Sequence, residues 1–597
     1  MNVFAERIQN LRALMADNGW DAVVISGSDP HASEYVAPRW RQTAWLTGFT
    51  GEAGELAITA DHAGLWTDSR FFIQAVQQLD GSGVELHKTR VPEAVGIPEW
   101  LAGRASVVAV DGTCESVMYI SALEAAGFKV ISVPDLISML WDDRPQIPTS
   151  PVITLSEETA GRSRYDKLTD LRKFLILNGC DCTVISALDQ IAWLLNVRGE
   201  DIEYNPYVIS YLYVSQSEAV WFAKKDDDIS DPDTDDSFQE LESDGISIQP
   251  YQYAEGILED MLRTEDQKVF VEPSSMNYSL YKVIEDSVGE DGIKTGTSPV
   301  TLWKSVKNDI EIAGMKEAFH EDGLAMEKFL FWLDTEVSSG KQVTEWEASV
   351  KLTSFRAAIP GYRGDSFSNI SAYGPHAALP HYVTPESGSA VIEPRGLYLT
   401  DSGGQYLFGT TDITRTVPMG ECSYLEKEDY TLVLKGMIAL SRAIFPRGTA
   451  GCQLDVLARI PLWGNRRNFG HGTGHGVGFY LGVHEGPQDI RQNFNPQPLL
   501  PGMVTSDEPG IYREGQHGVR HENILLCVEA GSDQFAEWLG FETLTLCHID
   551  TSAIIRDLLT AEEAEWINCY NRHVFEELSP ELDEDTAAWL RYKTRPI

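Results

Sequence analysis

The sequence predicts an α/β protein in which two tandem α/β modules precede a larger α+β domain that carries the functional site. The chain has 597 residues, and single hydrophobic cores rarely grow past roughly 250 to 300 residues, so about three domains are expected. A pattern in residues 11–26 recurs in residues 171–186. Residues able to bind divalent metal ions are concentrated between Asp401 and Glu522.

The internal repeat predicts that each module begins with a helix followed by a buried strand. In the first copy Ile8, Leu11 and Met15 recur at helical spacing, and Asn18-Gly19 is a typical helix stop. A short apolar run of β-branched residues follows at 22–25. The second copy repeats the same order of features, so the two modules are expected to share one fold.

Two breaks in the pattern separate the predicted domains. Residues 142–163 are polar and rich in proline, and residues 298–303 form a second joint. The predicted domains are therefore residues 1–158, 159–301 and 302–597. The third domain is expected to open with a long amphipathic helix, because apolar residues recur at helical spacing from Met315 to Leu333 after Asn308.

Composition excludes several classes of partner. The chain has 90 acidic and 47 basic residues, giving a formal charge of −43, so neither nucleic acid nor an anionic membrane surface is an expected partner. No apolar stretch reaches the roughly 18 residues that cross a bilayer, and the N-terminal residues lack a basic segment leading into an apolar one. We therefore expect a cytoplasmic protein with a solvated acidic surface.

Five groups in the third domain are typical ligands of divalent metals. They are Asp401, Asp412, His475, Glu508 and Glu522. Four carboxylates and one imidazole form an oxygen-rich set that suits manganese, with zinc, cobalt and iron as alternatives. Four negative charges balance two divalent cations, so a shared water molecule can be acidified without leaving a large buried charge. A single aspartate beside Ser-Gly-Gly is more typical of a solvent-facing turn, but five such groups in this order rarely occur by chance.

Local patterns indicate how these ligands could converge. Residues 397–401 and 411–416 alternate as strands do, and glycines between them signal a turn, so a hairpin would bring Asp401 and Asp412 together. Glycines at alternate positions from 472 to 478 let the backbone come close to the cluster around His475. A phosphate-binding loop is the alternative for this glycine block, but neither of the usual glycine-rich phosphate motifs is present there.

These motifs resemble those of the creatinase-like metallopeptidases with a pita-bread fold. The ligand order, the His-Gly-Thr-Gly-His-Gly-Val-Gly block at 471–478 and the Val-His-Glu-Gly-Pro run at 483–487 are similar to those of the three-domain Xaa-Pro aminopeptidases. The resemblance covers the whole chain and implies two creatinase-like N-terminal domains before a pita-bread catalytic domain. It also implies a dinuclear aminopeptidase that releases the residue preceding a proline, through attack of a hydroxide shared by two metals.

The resemblance assigns a role to each metal ligand. Asp401 would bind one metal, Asp412 and Glu522 would bridge the pair, and His475 and Glu508 would each bind a single metal. Glu508 would also move the proton to the leaving nitrogen.

Further residues receive roles only through the resemblance. His381 and His484 would orient the scissile amide and move protons, and His471 would line the pocket for the proline ring. Arg70, from the first module, would contact the peptide in its own active site or in that of a partner subunit. Trp463 and Glu34 match positions at a subunit contact, which favours a homodimer, although ordinary core packing is an alternative for Trp463.

Two rival functions stay open from the sequence. A prolidase acting on Xaa-Pro dipeptides shares the five ligands, but it usually has one N-terminal module. A peptide-binding protein of the same fold without metal is the other rival, but such proteins lose ligands that this chain keeps. Proline-containing peptides are therefore the expected partners.

Overall fold

A computed structural model describes residues 2–223, 232–263 and 267–597. Its contacts divide the chain into two compact units. The first comprises Met1–Glu157 and Arg162–Thr301, and the second comprises Glu158–Gly161 and Leu302–Ile597. The division into three domains at residues 158 and 301 stays a prediction.

The first unit contains two six-stranded sheets. Its strands, in chain order, are β1 (Ala22–Ile25), β2 (Glu55–Thr59), β3 (Ala63–Thr67), β4 (Glu85–Lys88), β5 (Val107–Val110), β6 (Lys129–Ser132), β7 (Ile153–Thr154), β8 (Cys182–Ile185), β9 (Val197–Arg198), β10 (Ser210–Ser215), β11 (Ala219–Ala223), β12 (Ile246–Pro250), β13 (Val269–Val271) and β14 (Ile293–Thr295).

The two sheets have the same topology. Their strand orders are β4-β3-β2-β1-β5-β6 and β12-β11-β10-β8-β13-β14. In each sheet the first strand in sequence pairs antiparallel with one neighbour and parallel with the other, and both outer strands pair in parallel. This equivalence confirms the repeat of two α/β modules that the sequence predicted.

The helices up to residue 305 are α1 (Val3–Asn18), α2 (Gln42–Thr47), α3 (Phe72–Gln78), α4 (Ile97–Leu101), α5 (Val117–Ala125), α6 (Glu157–Ala160), α7 (Arg164–Leu177), α8 (Leu188–Leu195), α9 (Pro232–Ser243), α10 (Ala254–Leu262), α11 (Tyr278–Val288) and α12 (Pro299–Ser305). Helices α6 and α12 cross the boundaries between the two units. Helix α1 ends where the sequence predicted. Gly19 has a φ of 69° and its N–H caps the Ala16 carbonyl, a left-handed conformation that glycine adopts without steric cost.

The second unit combines long helices with antiparallel strands. Its helices are α13 (Asp309–Ser338), α14 (Glu345–Arg356), α15 (Tyr424–Ser441), α16 (Gly451–Trp463), α17 (Ala561–Leu578) and α18 (Glu584–Lys593). Its strands are β15 (Val343–Thr344), β16 (Tyr362–Asp365), β17 (Ile370–Tyr373), β18 (Val391–Ile392), β19 (Leu397–Ser402), β20 (Gly404–Tyr406), β21 (Gly409–Thr410), β22 (Ile413–Pro418), β23 (Phe445–Pro446), β24 (Gly474–Gly476), β25 (Glu485–Ile490), β26 (Val504–Asp507), β27 (Gly510–Arg513), β28 (His517–Arg520), β29 (Asn523–Ser532) and β30 (Glu537–Thr543). In the described residues, no helix is both long and apolar enough to cross a membrane.

Helix α13 is the amphipathic helix that the sequence predicted. The Asn308 side chain accepts the N–H groups of Ile310 and Glu311, and Glu311 accepts the Asn308 N–H in return. This capping box satisfies backbone donors that a helix end otherwise leaves unpaired. The apolar face of α13, including Phe329 and Leu333, lies in the core of the second unit.

A buried ion pair fixes α13 to its neighbours. Arg356 of α14 donates to both carboxylate oxygens of Asp322 on α13, at 2.7 and 3.1 Å. Tyr406 of β20 donates to the same carboxylate at 2.7 Å. Both charged side chains are almost fully buried, so each one needs the other to offset the loss of water.

We expect Asp322→Asn to lower the free energy of unfolding by about 3–5 kcal/mol, because the Arg356 charge would then be buried without a counterion. Urea denaturation followed by circular dichroism measures the change. The matched control is Glu336→Gln on the same helix, whose partner Lys341 is 59% exposed, and its expected cost is below about 1 kcal/mol. Equal effects of the two substitutions would contradict this account of the pair.

Candidate metal centre

The five predicted ligands lie in or next to strands of two antiparallel sheets. Asp401 is in β19, and Asp412 directly precedes β22 in the sheet β17-β19-β22. His475 is in β24, Glu508 directly follows β26 and Glu522 directly precedes β29, all in the sheet β23-β30-β29-β26-β24-β25. Strand ends therefore position every one of these side chains.

Strand register explains why the ligands converge. Strands β19 and β22 pair so that Asp401 lies opposite Thr414. The connection between them contains a second, shorter hairpin, formed by β20 and β21. Strands β26 and β29 pair up to the residues adjoining Glu508 and Glu522. The Glu522 N–H donates to the Thr414 carbonyl at 3.1 Å, which joins the two sheets at the site.

The imidazole of His475 points its Nε2 atom at the carboxylates. Nε2 lies 3.5 Å from Asp412 Oδ2 and 3.4 Å from Glu508 Oε1. Its Nδ1 atom lies 2.9 Å from the Gly476 carbonyl, which can only accept, so Nδ1 carries a proton. This contact fixes the ring in the orientation that histidine ligands of metals use. One ligand atom each from Asp412, His475 and Glu522 lies within 4.8 Å of the others.

The carboxylates disfavour each other's ionisation. Burial raises the pKa of Glu522 well above its usual value, and the charges of Asp412, Glu508 and Asp401 raise it further. Removal from water also raises the pKa of Glu508 to about 7. Burial alone would lower the pKa of His475, but Asp412 and Glu508 raise it to about 9. The cluster therefore needs positive charge to hold all four carboxylates ionised.

The donor set fits two divalent ions. Among the described residues, the buried atoms Asp401 Oδ1 and Glu522 Oε1 have no hydrogen-bond partner, although unpaired buried carboxylate oxygens are costly. Metal ions would coordinate such oxygens, and the hard oxygen-rich set suits ions such as Mn²⁺. Asp401, Asp412, His475, Glu508 and Glu522 are the residues that would hold them.

A cationic network that sequence reasoning missed supports Asp401. Arg520, at the end of β28, donates to Asp401 Oδ2, to Thr414 Oγ1 at 3.1 Å and to the Tyr512 hydroxyl at 2.7 Å. The Tyr512 hydroxyl in turn lies 2.8 Å from His471 Nε2. The sequence shows a basic residue two positions before Glu522, which could have suggested a partner for a buried carboxylate. It does not reveal which carboxylate, because Asp401 is 119 residues away in the chain.

A second missed arginine holds together the strands that adjoin two of the predicted ligands, Asp412 and Glu522. Arg415 is 1% exposed and donates to the backbone carbonyls of Thr414, Glu522 and residues 547 and 548. It also donates to Asn523 Oδ1 and the Tyr570 hydroxyl. Arg415 therefore fixes β22 against the start of β29, where Asp412 and Glu522 are located.

The three predicted histidines lie around the same cluster. The ring of His484 meets that of His475 edge to face, with centroids 4.3 Å apart. His471 lies 4.9 Å from the ring of Phe469, and burial lowers the pKa of His471 to about 3, with smaller contributions from Arg520 and His381. The carbonyl of Pro380, the residue before His381, lies 3.4 Å from the Arg520 guanidinium, which places this segment of the chain beside the cluster.

Two further predicted residues, Arg70 and Trp463, have their own local surroundings. Arg70 belongs to the first compact unit, where its guanidinium donates to both oxygens of Asp68 at 2.9 and 2.8 Å, so its contact with peptide stays a prediction. Trp463, at the end of α16, is 43% exposed, which argues against core packing as its role. His521 is buried beside Glu522 and packs edge to face on Tyr430.

The sequence matches known families along its length. Residues 313–529 match metallopeptidase family M24, and residues 537–597 match the C-terminal region of that family. Residues 7–140 and 143–311 each match the creatinase/prolidase N-terminal domain.

Relatives that match along the full length show which family the chain belongs to. A protein of Tuber melanosporum named "Probable Xaa-Pro aminopeptidase P" is 38% identical over 622 residues, covering 99% of each chain. The chain belongs to the Xaa-Pro aminopeptidase P family. A similar relative from Coccidioides posadasii is 37% identical and also covers 99% of each chain. This membership confirms the resemblance, the fold class and the class of enzyme that the sequence predicted, a dinuclear metal-dependent aminopeptidase.

Solved structures extend the comparison. The X-prolyl aminopeptidase of Caenorhabditis elegans, described as a cytosolic enzyme with a di-nuclear active site, is 36% identical with a TM-score of 0.94 over all of both chains. The Xaa-Pro dipeptidase of Bacillus anthracis is 26% identical with a TM-score of 0.51, covering 65% of this chain and 99% of that one. About a third of this family member therefore has no counterpart in the dipeptidase.

Binding of Mn²⁺ to the metal-free protein at neutral pH should release protons. In the metal-free site His475, with a pKa of about 9, is protonated at neutral pH, and Glu508, with a pKa of about 7, is about half protonated. Metal ligands must be deprotonated. The apparent affinity should therefore fall as pH decreases. Titration calorimetry in two buffers of different ionisation enthalpy measures the release, and His475→Gln should reduce it. Identical heats in both buffers would rule out this protonation state.

Proposed function

We propose that this chain removes the N-terminal residue from peptides that have proline in the second position. The observation that carries the proposal is the cluster of Asp412, His475 and Glu522, with Glu508 3.4 Å from His475 and Asp401 on the paired strand β19. The chain that holds it aligns over 99% or more of its length with Xaa-Pro aminopeptidases. Proline has no amide hydrogen and fixes its own φ, so this bond requires a dedicated site.

Two divalent ions, which we propose to be Mn²⁺, would supply the Lewis acidity that activates water and polarises the scissile carbonyl. Glu508 is the proposed proton carrier, because it lies at the rim of the cluster with 19% of its side chain exposed. From there it can accept a proton from the attacking water and deliver it to the prolyl nitrogen. Its position 3.4 Å from His475 Nε2 keeps the carboxylate in the ligand cluster, where the scissile bond would bind.

The histidines take different roles in this proposal. His484, edge-on to His475, would donate a hydrogen bond to the oxyanion that develops on the scissile carbonyl, and His381 would orient the amide. His471 has both nitrogens engaged, Nδ1 with the Gly472 carbonyl and Nε2 with the Tyr512 hydroxyl. Because its low pKa keeps it neutral, it would serve as a fixed wall for the proline ring rather than as a proton carrier.

The hydrogen bonds from His471 to Asp401 have consistent directions. The Gly472 carbonyl requires a proton on Nδ1, so Nε2 of the neutral ring accepts from the Tyr512 hydroxyl. The hydroxyl oxygen then accepts from Arg520, which donates to Asp401. Substrate contact at His471 would therefore be coupled to a proposed metal ligand through two side chains.

We also propose a homodimer in the cytoplasm, with Arg70 contacting the peptide. Val456, Ile460 and Trp463 on α16 are 38%, 56% and 43% exposed and lie at helical spacing on one face. An apolar stripe of this kind supports a subunit contact. The compartment rests on the Caenorhabditis elegans enzyme, which is described as cytosolic.

Activity assays with short peptides test the proposed reaction. The Mn²⁺-loaded protein should cleave Xaa-Pro-Xaa tripeptides faster than Xaa-Pro dipeptides, and it should not cleave Xaa-Ala-Xaa tripeptides at a comparable rate. Preference for dipeptides would instead identify a prolidase, and absence of cleavage would favour a peptide-binding protein.

A ligand variant shows that the activity belongs to this site. Glu522→Gln should lower kcat by more than about 100-fold, since loss of a ligand should exceed the 10- to 100-fold effect of residues that only support ligands. Glu537→Gln, a change on the surface of β30, should retain full activity. Equal activity of both variants would contradict the proposed site.

A further inference from the structure

Two histidines and a glutamate converge at the edge of the first sheet, in the other compact unit from the cluster described above. Strand β4 is the edge strand, and it carries Glu85 and His87 at alternate positions, which point to the same face. His62 lies in the turn between β2 and β3. One ligand atom from each of these three residues lies within 4.8 Å of the others.

The two imidazoles have the spacing of ligands on one metal ion. His62 Nε2 and His87 Nε2 are 3.2 Å apart. Two nitrogens bound to a tetrahedral Zn²⁺ at about 2.0–2.1 Å lie about 3.3 Å from each other. The Glu85 carboxylate is 3.7 Å from His62 Nδ1 and 69% exposed, so it can rotate toward the pair without disturbing buried groups.

Surrounding residues hold the imidazoles in place. His87 stacks on Trp66 with ring centroids 4.0 Å apart and an interplanar angle of 8°, and Trp100 packs against both histidines at 4.8 and 5.8 Å. Two hydrogen bonds with Thr59 fix the backbone of His62, one from its N–H to the hydroxyl at 3.1 Å and one to its carbonyl at 2.8 Å. Rings fixed in this way bind a metal with little loss of conformational freedom.

A glycine makes room for this arrangement. Gly64 is the second residue of β3, where glycine weakens a strand, and its φ is not in the left-handed region. A Cβ atom at Gly64 would lie 2.6 Å from the Trp66 ring and 2.7 Å from the His87 ring. The absence of a side chain at this position therefore allows His87 to stack on Trp66 and face His62.

We propose that His62, Glu85 and His87 form a zinc site that joins the edge strand β4 to the turn before β3. Two imidazoles and one carboxylate are a known donor set for Zn²⁺, with water in the fourth position. The partial exposure of His62, 26% of its side chain, gives the ion access from solvent. The ion would also cover part of a strand edge that otherwise exposes backbone groups.

The protonation of His87 is compatible with this site. Burial lowers its pKa, and His62 and Arg104 lower it further against the opposing charge of Glu85. The ring is therefore neutral at neutral pH, which is the form that binds metal. The Arg104 guanidinium lies 4.8 Å from the centroid of the Trp100 ring, and its positive charge disfavours a second cation nearby. The negative charge of Glu85 would offset this repulsion when Zn²⁺ binds.

Zinc content of the full-length protein tests the proposal. After equilibrium dialysis against Zn²⁺, the double variant His62→Gln/His87→Gln should hold one fewer zinc ion per chain than the unmodified protein. Ions at the other cluster are common to both samples and cancel in this difference. The matched control is His573→Gln, because His573 also lies 3.7 Å from a glutamate, Glu577, but belongs to no three-residue cluster found in the described residues. It should retain the full zinc content.

A second measurement does not depend on the stability of a variant. Zn²⁺ should slow the reaction of diethyl pyrocarbonate with His62 and His87 in the unmodified protein, as read by peptide mass spectrometry, and Glu85→Gln should weaken this protection. His573 should react at the same rate with and without zinc. Equal zinc content in the double variant, or unchanged reactivity of His62 and His87, would overturn the proposal.

Discussion

Repulsion among four carboxylates in one buried cluster is the constraint on which the rest of the catalytic domain depends. Asp401, Asp412 and Glu522 are each less than a tenth exposed. Burial raises the pKa values of Asp401 and Glu522, and the charge of Asp412 raises both further. A protein can keep such a group only if cations compensate it or if protons neutralise it. The arrangement is therefore one that two divalent ions would stabilise strongly.

The scaffold around the cluster supplies fixed positive charge and rigid backbone. Arg520 binds Asp401, and Arg415 joins β22 to the start of β29, the two strands that directly follow Asp412 and Glu522. Among the described residues, Arg415 donates to carbonyl, amide and hydroxyl oxygens, so its role is to position the backbone rather than to neutralise a ligand. Preorganised ligands of this kind lose little freedom when metal binds.

Much of the fold was predictable from local patterns. The Asn-Gly helix stop, the repeat of helix and strand, and the apolar spacing of α13 are properties of short segments, and the structure confirms all three. The convergence of Asp401 and Asp412 also followed from alternation and turn signals. Their pairing includes the additional strands β20 and β21, because Gly403 and Gly404 begin a second reversal that the alternation alone did not reveal.

Other features depend on contacts between residues that are far apart in sequence. Arg520 meets Asp401 and Tyr512 only after β19, β27 and β28 have assembled, and no motif near Arg520 specifies those partners. The same holds for His62 and His87, which come together because β3 and β4 pair in parallel. For Arg70 the resemblance predicted a contact with the peptide substrate. The structure shows hydrogen bonds from Arg70 to Asp68, and the contact with peptide stays a prediction.

The most direct test of the central claim is the number of Mn²⁺ ions that the metal-free protein binds tightly. Equilibrium dialysis with elemental analysis should give two ions per chain, together with recovery of peptidase activity. Asp412→Asn should abolish both, because a carboxylate oxygen of Asp412 lies within 4.8 Å of ligand atoms of both His475 and Glu522, whereas Glu537→Gln should change neither. Full activity in protein stripped of metal, or unchanged Mn²⁺ binding by Asp412→Asn, would contradict the account.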